Sequence, residues 1–357
     1  MRDLHRHRGR GALSTREGRF EARSCSAFDD GWGTLDDDEP GRPRTHVQPE
    51  HPRRIVTRNQ SPDVNFDRSI NPYQGCEHGC IYCYARPSHA YHGLGAGLDF
   101  ETRIFSKPTA PDLLRAELRR PGYVPDTIVV GANTDPYQPV ERRLGITRGV
   151  LEVLDAFRHP VGIITKGAGI RRDLDVLSSL HERGLVRVCI SVTTLDPELS
   201  AKLEPRASAP SARLKTIERL AEAGIPVVAM LSPIIPGVND AEIETLARSV
   251  ADAGAAVATF ILVRLPGEVS DLFGEWLDEH MPLRREHVLT LIRDCRDGKL
   301  NDARFGERMR GSGAYAELLR RRMDLARRRS GLDRRLPPLP TTHFRIPPRA
   351  GDQLALF

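Results

Sequence analysis

The chain has 357 residues, 39% hydrophobic and 28% charged, enough to bury a sizeable core in one large domain or two small ones. No run of about 18 apolar residues occurs, so no membrane-spanning helix is expected, and the opening Met1-Arg2-Asp3-Leu4-His5-Arg6 lacks a secretory apolar segment, which predicts a cytoplasmic protein. The formal charge of +5 is carried almost wholly by arginine, which suits a polyanionic partner without demanding one.

Residues 1–55 are poor in apolar residues and show no period, so they are expected to be disordered. Their arginines and the acidic run Asp36-Asp37-Asp38-Glu39 read as a solvated tail or as contacts to DNA. Between 56 and 266, short apolar runs alternate with helical spacing. Strands are expected near 65–70 and at 127–130, 161–165, 186–192, 227–231 and 257–263. Between them, Val150, Leu151, Leu154 and Phe157 mark one helix, and Leu174, Val176, Leu177 and Leu180 a second. Leu214, Ile217 and Leu220 mark a third, and Ile243, Leu246, Ala247 and Val250 a fourth. Continuous apolar strands separated by helices mean a parallel α/β sheet covered on both faces. About six such units are too few for a closed eight-fold barrel and leave a partial barrel or an open doubly wound sheet. Residues 267–330 read as a helical extension, with helices at 271–279, 285–295 and 314–329. The last is rich in arginine, either a solvated face or a nucleic-acid stripe. Residues 331–357 are proline-rich and read as an extended tail.

Of the six cysteines, Cys76, Cys80 and Cys83 fall within eight residues, while Cys25, Cys189 and Cys295 are scattered. That is not a disulfide framework. Gly75 and Gly79 let the backbone wrap around something bulky, and clustered thiolates are soft ligands for iron–sulfur clusters or zinc. Three thiolates can hold three irons of a 4Fe–4S cluster and leave the fourth open. Zinc with His78 or His89 as fourth ligand is the alternative, although no second Cys pair is present.

The segment Gly75-Cys76-Glu77-His78-Gly79-Cys80-Ile81-Tyr82-Cys83-Tyr84-Ala85-Arg86 resembles the radical S-adenosylmethionine (SAM) superfamily. Asn133-Thr134-Asp135-Pro136-Tyr137-Gln138-Pro139-Val140-Glu141, Thr165-Lys166 and Ser232-Pro233-Ile234-Ile235-Pro236-Gly237-Val238-Asn239-Asp240 are similar to its spore photoproduct lyase-like group. The resemblance covers about 60–266. It implies a partial (βα)6 TIM-like barrel with a 4Fe–4S cluster on Cys76, Cys80 and Cys83. The amino and carboxylate groups of S-adenosylmethionine would chelate the open iron. One electron, from a flavodoxin- or ferredoxin-type donor, would release methionine and a 5′-deoxyadenosyl radical that abstracts hydrogen from substrate. By position, Tyr82 would lie beside the adenine. Asn133, Thr134 and Asp135 would meet the methionine ammonium, and Lys166, Ser191 and Thr193 the ribose or carboxylate. Gly237 and Asn239 would back the adenine.

The thymine-dimer-splitting member of that group uses a further cysteine to return hydrogen to the substrate radical. This chain has none between Cys83 and Cys189, which leaves a tyrosine such as Tyr137 as substitute and the substrate open. DNA or another nucleic acid is the expected substrate class. The rival reading is a non-catalytic, metal-bound nucleic-acid-binding protein. Finally, Gln353-Leu354-Ala355-Leu356-Phe357 resembles the peptide that docks repair proteins on the DNA sliding clamp. Gln353 would meet a polar rim, and Leu354, Leu356 and Phe357 an apolar groove.

Overall fold

The structure, a computed structural model, describes residues 9–14 and 43–348. Its strands are β1 (His46–Pro49), β2 (Thr57–Arg58), β3 (Arg68–Ile70), β4 (Tyr73–Gln74), β5 (Arg103–Ser106), β6 (Ile128–Val130), β7 (Val161–Thr165), β8 (Val186–Ser191), β9 (Val227–Ile234) and β10 (Val257–Leu262). The main sheet has the order β10-β9-β8-β7-β6-β3-β2. From β3 to β10 every neighbouring pair is parallel, and β2 adds an antiparallel edge. A small second sheet, β1-β5-β4, supports the cysteine segment. No helix among the described residues is long and apolar enough to cross a membrane.

Strand order follows chain order, and right-handed crossovers then place every connecting helix on one face. The alternation along each strand agrees. Val161, Ile163, Val188, Ile190, Val227 and Ala229 join Val150, Leu154, Leu177, Leu220 and Val250 of the helices in one core. The intervening Ile164, Cys189 and Met230 face the other way and are only partly buried. The expected helical cover on both faces is therefore corrected: the second face carries small and half-buried side chains. The expected strands and helices otherwise appear within a few residues of their predicted ends.

Two expectations about the termini change. Within 1–55, β1 pairs with β5, and Ala12 and Leu13 are buried. These parts are ordered by hydrogen bonds to distant polar groups rather than by an apolar period. The described part of the tail does not stand off from the sheet. Phe344 packs against Tyr123, Phe157 and His159, and Arg345 N–H donates to the Phe157 carbonyl at 3.0 Å. The helices after 266 share the two main cores. Val269–His280 buries Trp276 beside Ile81 and Tyr82, and Gly313–Arg329 packs Leu319 and Met323 into the sheet core. The arginines of that last helix mostly pair with carboxylates of the protein, Arg321 with Glu317 of the same helix and Arg322 with Glu244 of Ile243–Asp252.

The far edge of β10 is bridged back to the start of the sheet. Leu262 N–H donates to the Met309 carbonyl at 3.1 Å, Gly306 N–H donates to Asp63 Oδ1 at 2.6 Å, and Arg308 pairs with Asp63. Residues 306–309 thus span the seam between the last strand and the loop before the first parallel one.

His159 is fully buried. Its Nε2 lies 2.8 Å from the Tyr123 hydroxyl and its Nδ1 3.0 Å from the Pro160 carbonyl, a set that suits the neutral ring. Burial lowers its pKa from 6.5 to about 4. Between those values the unfolded chain binds the extra proton, so this contribution is complete above pH 6.5 and lost as pH falls toward 4. Its size is on the order of 3 kcal/mol. Urea midpoints should rise with pH across that window, and His159→Gln should flatten the rise by up to one proton.

Candidate radical SAM site

The cysteine segment follows β4 at the carboxyl end of the parallel sheet, the end where sites form in such folds. Cys76 and Cys80 are buried and Cys83 is partly open. Burial first, then Asp135 and the neighbouring cysteines, push the Cys76 thiol well above its usual range, and burial also raises Cys80 and Cys83. Lys166 and Arg213 act the other way on Cys80, and Arg86 and Lys166 on Cys83, and thiols whose ionisation burial opposes suit a cationic group that would take them as thiolates.

Among the described residues, no three His, Cys, Asp or Glu groups converge as ligands of a single ion. Both imidazoles weighed for zinc are turned elsewhere. His89 Nε2 is 3.0 Å from the Arg103 carbonyl, and His78 Nδ1 is 3.3 Å from Asp135 without the alignment of a hydrogen bond. Neither joins the cysteines in a ligand set among the described residues. In a cluster each thiolate would take its own iron.

The loop is anchored from beneath. Arg86 donates to the Cys80 carbonyl at 2.9 Å, to Gly79 at 3.1 Å, and to Ala96 and Gly97. Its Nη2 pairs with Glu101 at 2.6 Å, both side chains 0% exposed. Glu101 in turn accepts the N–H groups of Gly11 at 2.9 Å and Ala12 at 2.8 Å. The N-terminal segment therefore lies directly on the loop. A Cβ at Gly11 would stand 1.8 Å from the Gly79 carbonyl oxygen, so only glycine fits. On the other side Gln138 Nε2 donates to the Gly75 carbonyl at 3.2 Å, and its Oε1 accepts from Glu77 N–H at 2.9 Å.

Asp135 ties the ends of β6 and β7 together. Oδ1 accepts from Tyr137 N–H at 2.8 Å and Thr165 Oγ1 at 2.7 Å, and Oδ2 accepts from Lys166 N–H at 2.7 Å. Burial alone would raise this carboxyl, but His78 and these donors hold it below its usual value. A carboxylate offers about four acceptor sites, so one remains, on the His78 side. Thr134 Oγ1 donates to the Tyr73 carbonyl at 2.6 Å, and Asn133 N–H to Asn71 Oδ1 at 2.9 Å.

A second buried carboxylate, Glu204, joins Tyr82, Thr193, Lys166 and Arg213. Thr193 Oγ1 donates to it at 2.7 Å, and Lys166 Nζ pairs with it at 3.0 Å. Tyr82 and Arg213 also bond to it. Lys166 sits 5.7 Å from the Tyr82 ring centroid, and burial lowers its pKa to about 8. Ser191 ends β8 on the face away from the helices. Asn239 is buried, donating to the Thr193 carbonyl at 2.7 Å while its Oδ1 accepts from Ile235 N–H at 2.7 Å. It holds the loop that carries Gly237 rather than facing solvent. The Tyr137 backbone meets Asp135, but its hydroxyl is directed elsewhere, donating to Asp173 at 2.8 Å. Cys189 instead stands on the sheet face away from the helices.

Sequence reasoning missed Arg86, Glu101, Gln138, Glu204 and Arg213. Arg86 and Gln138 lie within the segments that carry the resemblance but receive no role from it, and Glu101, Glu204 and Arg213 are single polar residues that no spacing rule singles out.

The radical SAM superfamily model matches residues 70–250, just over half of the chain, and the chain belongs to that superfamily. Its members use a 4Fe–4S cluster and S-adenosylmethionine. An uncharacterized protein of Mycobacterium tuberculosis is 36% identical over 219 residues, 61% of this chain and 64% of that protein. One from Methanocaldococcus jannaschii is 28% identical over 173 residues, 48% of this chain and 62% of its own. The chain thus spans under two thirds of these relatives. A spore photoproduct lyase mutant with bound AdoMet and dinucleoside spore photoproduct superposes with TM-score 0.56 at 16% identity, covering 79% of this chain and 78% of its own. At that identity the likeness is one of fold.

Removing one partner of a buried ion pair costs about 3–5 kcal/mol. Glu101→Ala should destabilise by that order and lower the iron retained per chain although all three cysteines remain. Gly11→Ala, which leaves the Arg86–Glu101 pair intact, should lower iron retention with a smaller loss of stability. Denaturant titration and iron assay on both variants check this.

Proposed function

We propose that this chain is a radical SAM enzyme that reductively cleaves S-adenosylmethionine and abstracts hydrogen from a substrate, with DNA or another nucleic acid as the substrate class. The observation that carries it is the loop of three cysteines, two of them buried, at the carboxyl end of a chain-ordered parallel sheet. In this reading the sheet curves as a partial (βα)6 barrel with its half-buried face inward, and the chemistry is of lyase or oxidoreductase type.

Cys76, Cys80 and Cys83 would hold the cluster. With S-adenosylmethionine bound, that cluster supplies one-electron reduction of the sulfonium and so hydrogen-atom abstraction. The chain's own residues bind and orient. Tyr82, fixed through its hydroxyl to Glu204, offers an aromatic edge to the adenine. The remaining acceptor site of Asp135 suits the methionine ammonium, with Asn133 beside it. Lys166 has three donors, and Thr193 and Glu204 take two. The third is available to the methionine carboxylate, with Ser191 near the same strand ends. Thr193 is a positioning residue for Lys166 and Tyr82, and Asn239 for the loop of Gly237. The spore photoproduct lyase structure in complex with its dinucleoside substrate supports a nucleic-acid substrate by analogy of fold alone.

A flavodoxin- or ferredoxin-type protein is the proposed electron donor. The clamp-like residues Gln353, Leu354, Leu356 and Phe357 lie outside the described residues, and docking on the sliding clamp remains part of this proposal.

After anaerobic reconstitution the protein should be brown and release 5′-deoxyadenosine on reduction. Ala at Cys76, Cys80 or Cys83 should abolish both, and retained cleavage in Cys83→Ala would remove that ligand from the assignment. A second measurement addresses the partner. The last ten residues should bind the cognate clamp at micromolar Kd, roughly −8 kcal/mol, and Phe357→Ala should lose that binding. A peptide and full chain that both fail to bind would end the clamp reading.

A further inference from the structure

The buried cations around the carboxyl end of the sheet are almost all matched. Arg86 has Glu101, Arg213 and Lys166 share Glu204, and Arg308 has Asp63. Arg296 is taken up by the carbonyls of Leu262, Val263 and Arg308. Arg264 is the exception. It lies two residues past β10, its guanidinium carbon 4.5 Å from the Tyr84 ring centroid. No carboxylate of the described residues lies within ion-pair distance of it. Burial lowers its pKa and Arg308 adds to that, while Tyr84, Asp63 and Cys83 act the other way. Tyr84 directly follows Cys83, is 43% exposed, and bonds through its hydroxyl to the Ala132 carbonyl. The Arg264–Tyr84 pair therefore stands between β10 and the cysteine loop.

Phe305 belongs to the segment that spans this seam. It is 60% exposed, and Arg308 covers its ring at 4.6 Å. Arg310 lines the same recess with Asp63 and Phe305. Asp63 is thus the carboxylate shared here: it pairs with Arg308, lines the recess with Arg310 and acts on Arg264 at longer range. A guanidinium with free donors binds phosphate in a fork, and an exposed aromatic ring beside arginine is a platform for a nucleobase.

We propose that Arg264, Arg308 and Phe305 form a phosphate-ester site at the seam, with the phosphate on Arg264 and the attached base on Phe305. This rests on the enzymatic reading above and names the group by which the substrate is held. The ester can come from a single strand of nucleic acid or from a mononucleotide, and both share this chemistry.

The test uses the full, cluster-reconstituted chain and a fluorescein-labelled single-stranded DNA dodecamer, read by anisotropy over a salt series. Arg264→Gln should weaken binding about tenfold and reduce the slope of log K against log salt by about 0.7, one phosphate contact on a single strand. Phe305→Ala, an exposed position where folding is not at stake, should weaken binding about tenfold with the slope unchanged. Displacement by thymidine monophosphate at concentrations where inorganic phosphate fails assigns the mononucleotide as source. Displacement only by unlabelled strand assigns the strand. Wild-type chain that binds neither probe, or variants that bind as tightly as wild type, would overturn the site. So would an Arg264→Gln chain that loses S-adenosylmethionine affinity by calorimetry while keeping the dodecamer, since Arg264 would then serve the cofactor. Release of 5′-deoxyadenosine by the wild-type chain is scored separately, so failure of the seam site and of the enzymatic reading are told apart.

Discussion

The site depends on one buried ion pair. Arg86 and Glu101 are both fully removed from solvent, a state tolerated only when the remaining donors and acceptors are well supplied. Arg86 spends its other donors on four backbone carbonyls, two of them in the cysteine loop. Glu101 accepts two N–H groups from a segment about ninety positions earlier. Unlike an apolar contact, such a pair has direction. It ties the cysteine loop to the residues just before β5 and recruits the N-terminal segment as a strap over Gly79.

The same device recurs around the rim. Asp135 joins the ends of β6 and β7, and Glu204 joins the ends of β7 and β8 to Tyr82 of the cysteine loop. Glu77 accepts from Val140 N–H at 2.7 Å and from Arg206 at 3.0 Å. Each carboxylate is placed to accept from two or more separate segments. The loops past parallel strands have no shared hydrogen-bond ladder, so buried carboxylates do for them what strand pairing does for the sheet. A network of this kind is satisfied as a whole or is unfavourable, which favours one arrangement of the rim over many.

What was legible in the sequence follows from how each signal is written. Val161–Thr165, Val186–Ser191 and Val227–Ile234 are continuous apolar runs, and the helices between them carry a clear 3.6-residue period, so the parallel sheet was evident. The cysteines were legible because their ligand spacing is local. By contrast β1, β4 and β5 are two to four residues long, below the length at which alternation is distinguishable. The buried stretch Arg10-Gly11-Ala12-Leu13 has no period because a distant carboxylate holds it. Arg86 and Glu101, fifteen positions apart, and Thr193 and Glu204, eleven apart, meet only through tertiary folding.

The distribution of charge then separates two regions of the same rim. Inside, Glu101 is paired with Arg86, and Glu204 with Lys166 and Arg213. At the seam the matching stops. Asp63 is already bonded to Gly306 and Arg308, and Arg264 has an aromatic face instead of an anion. A guanidinium held partly buried beside another keeps a desolvation and repulsion penalty that only an anion removes. Folding alone gives no reason to keep it there, because a neutral side chain would cover Tyr84 as well. The unmatched charge therefore belongs to what enters the seam rather than to what holds the fold.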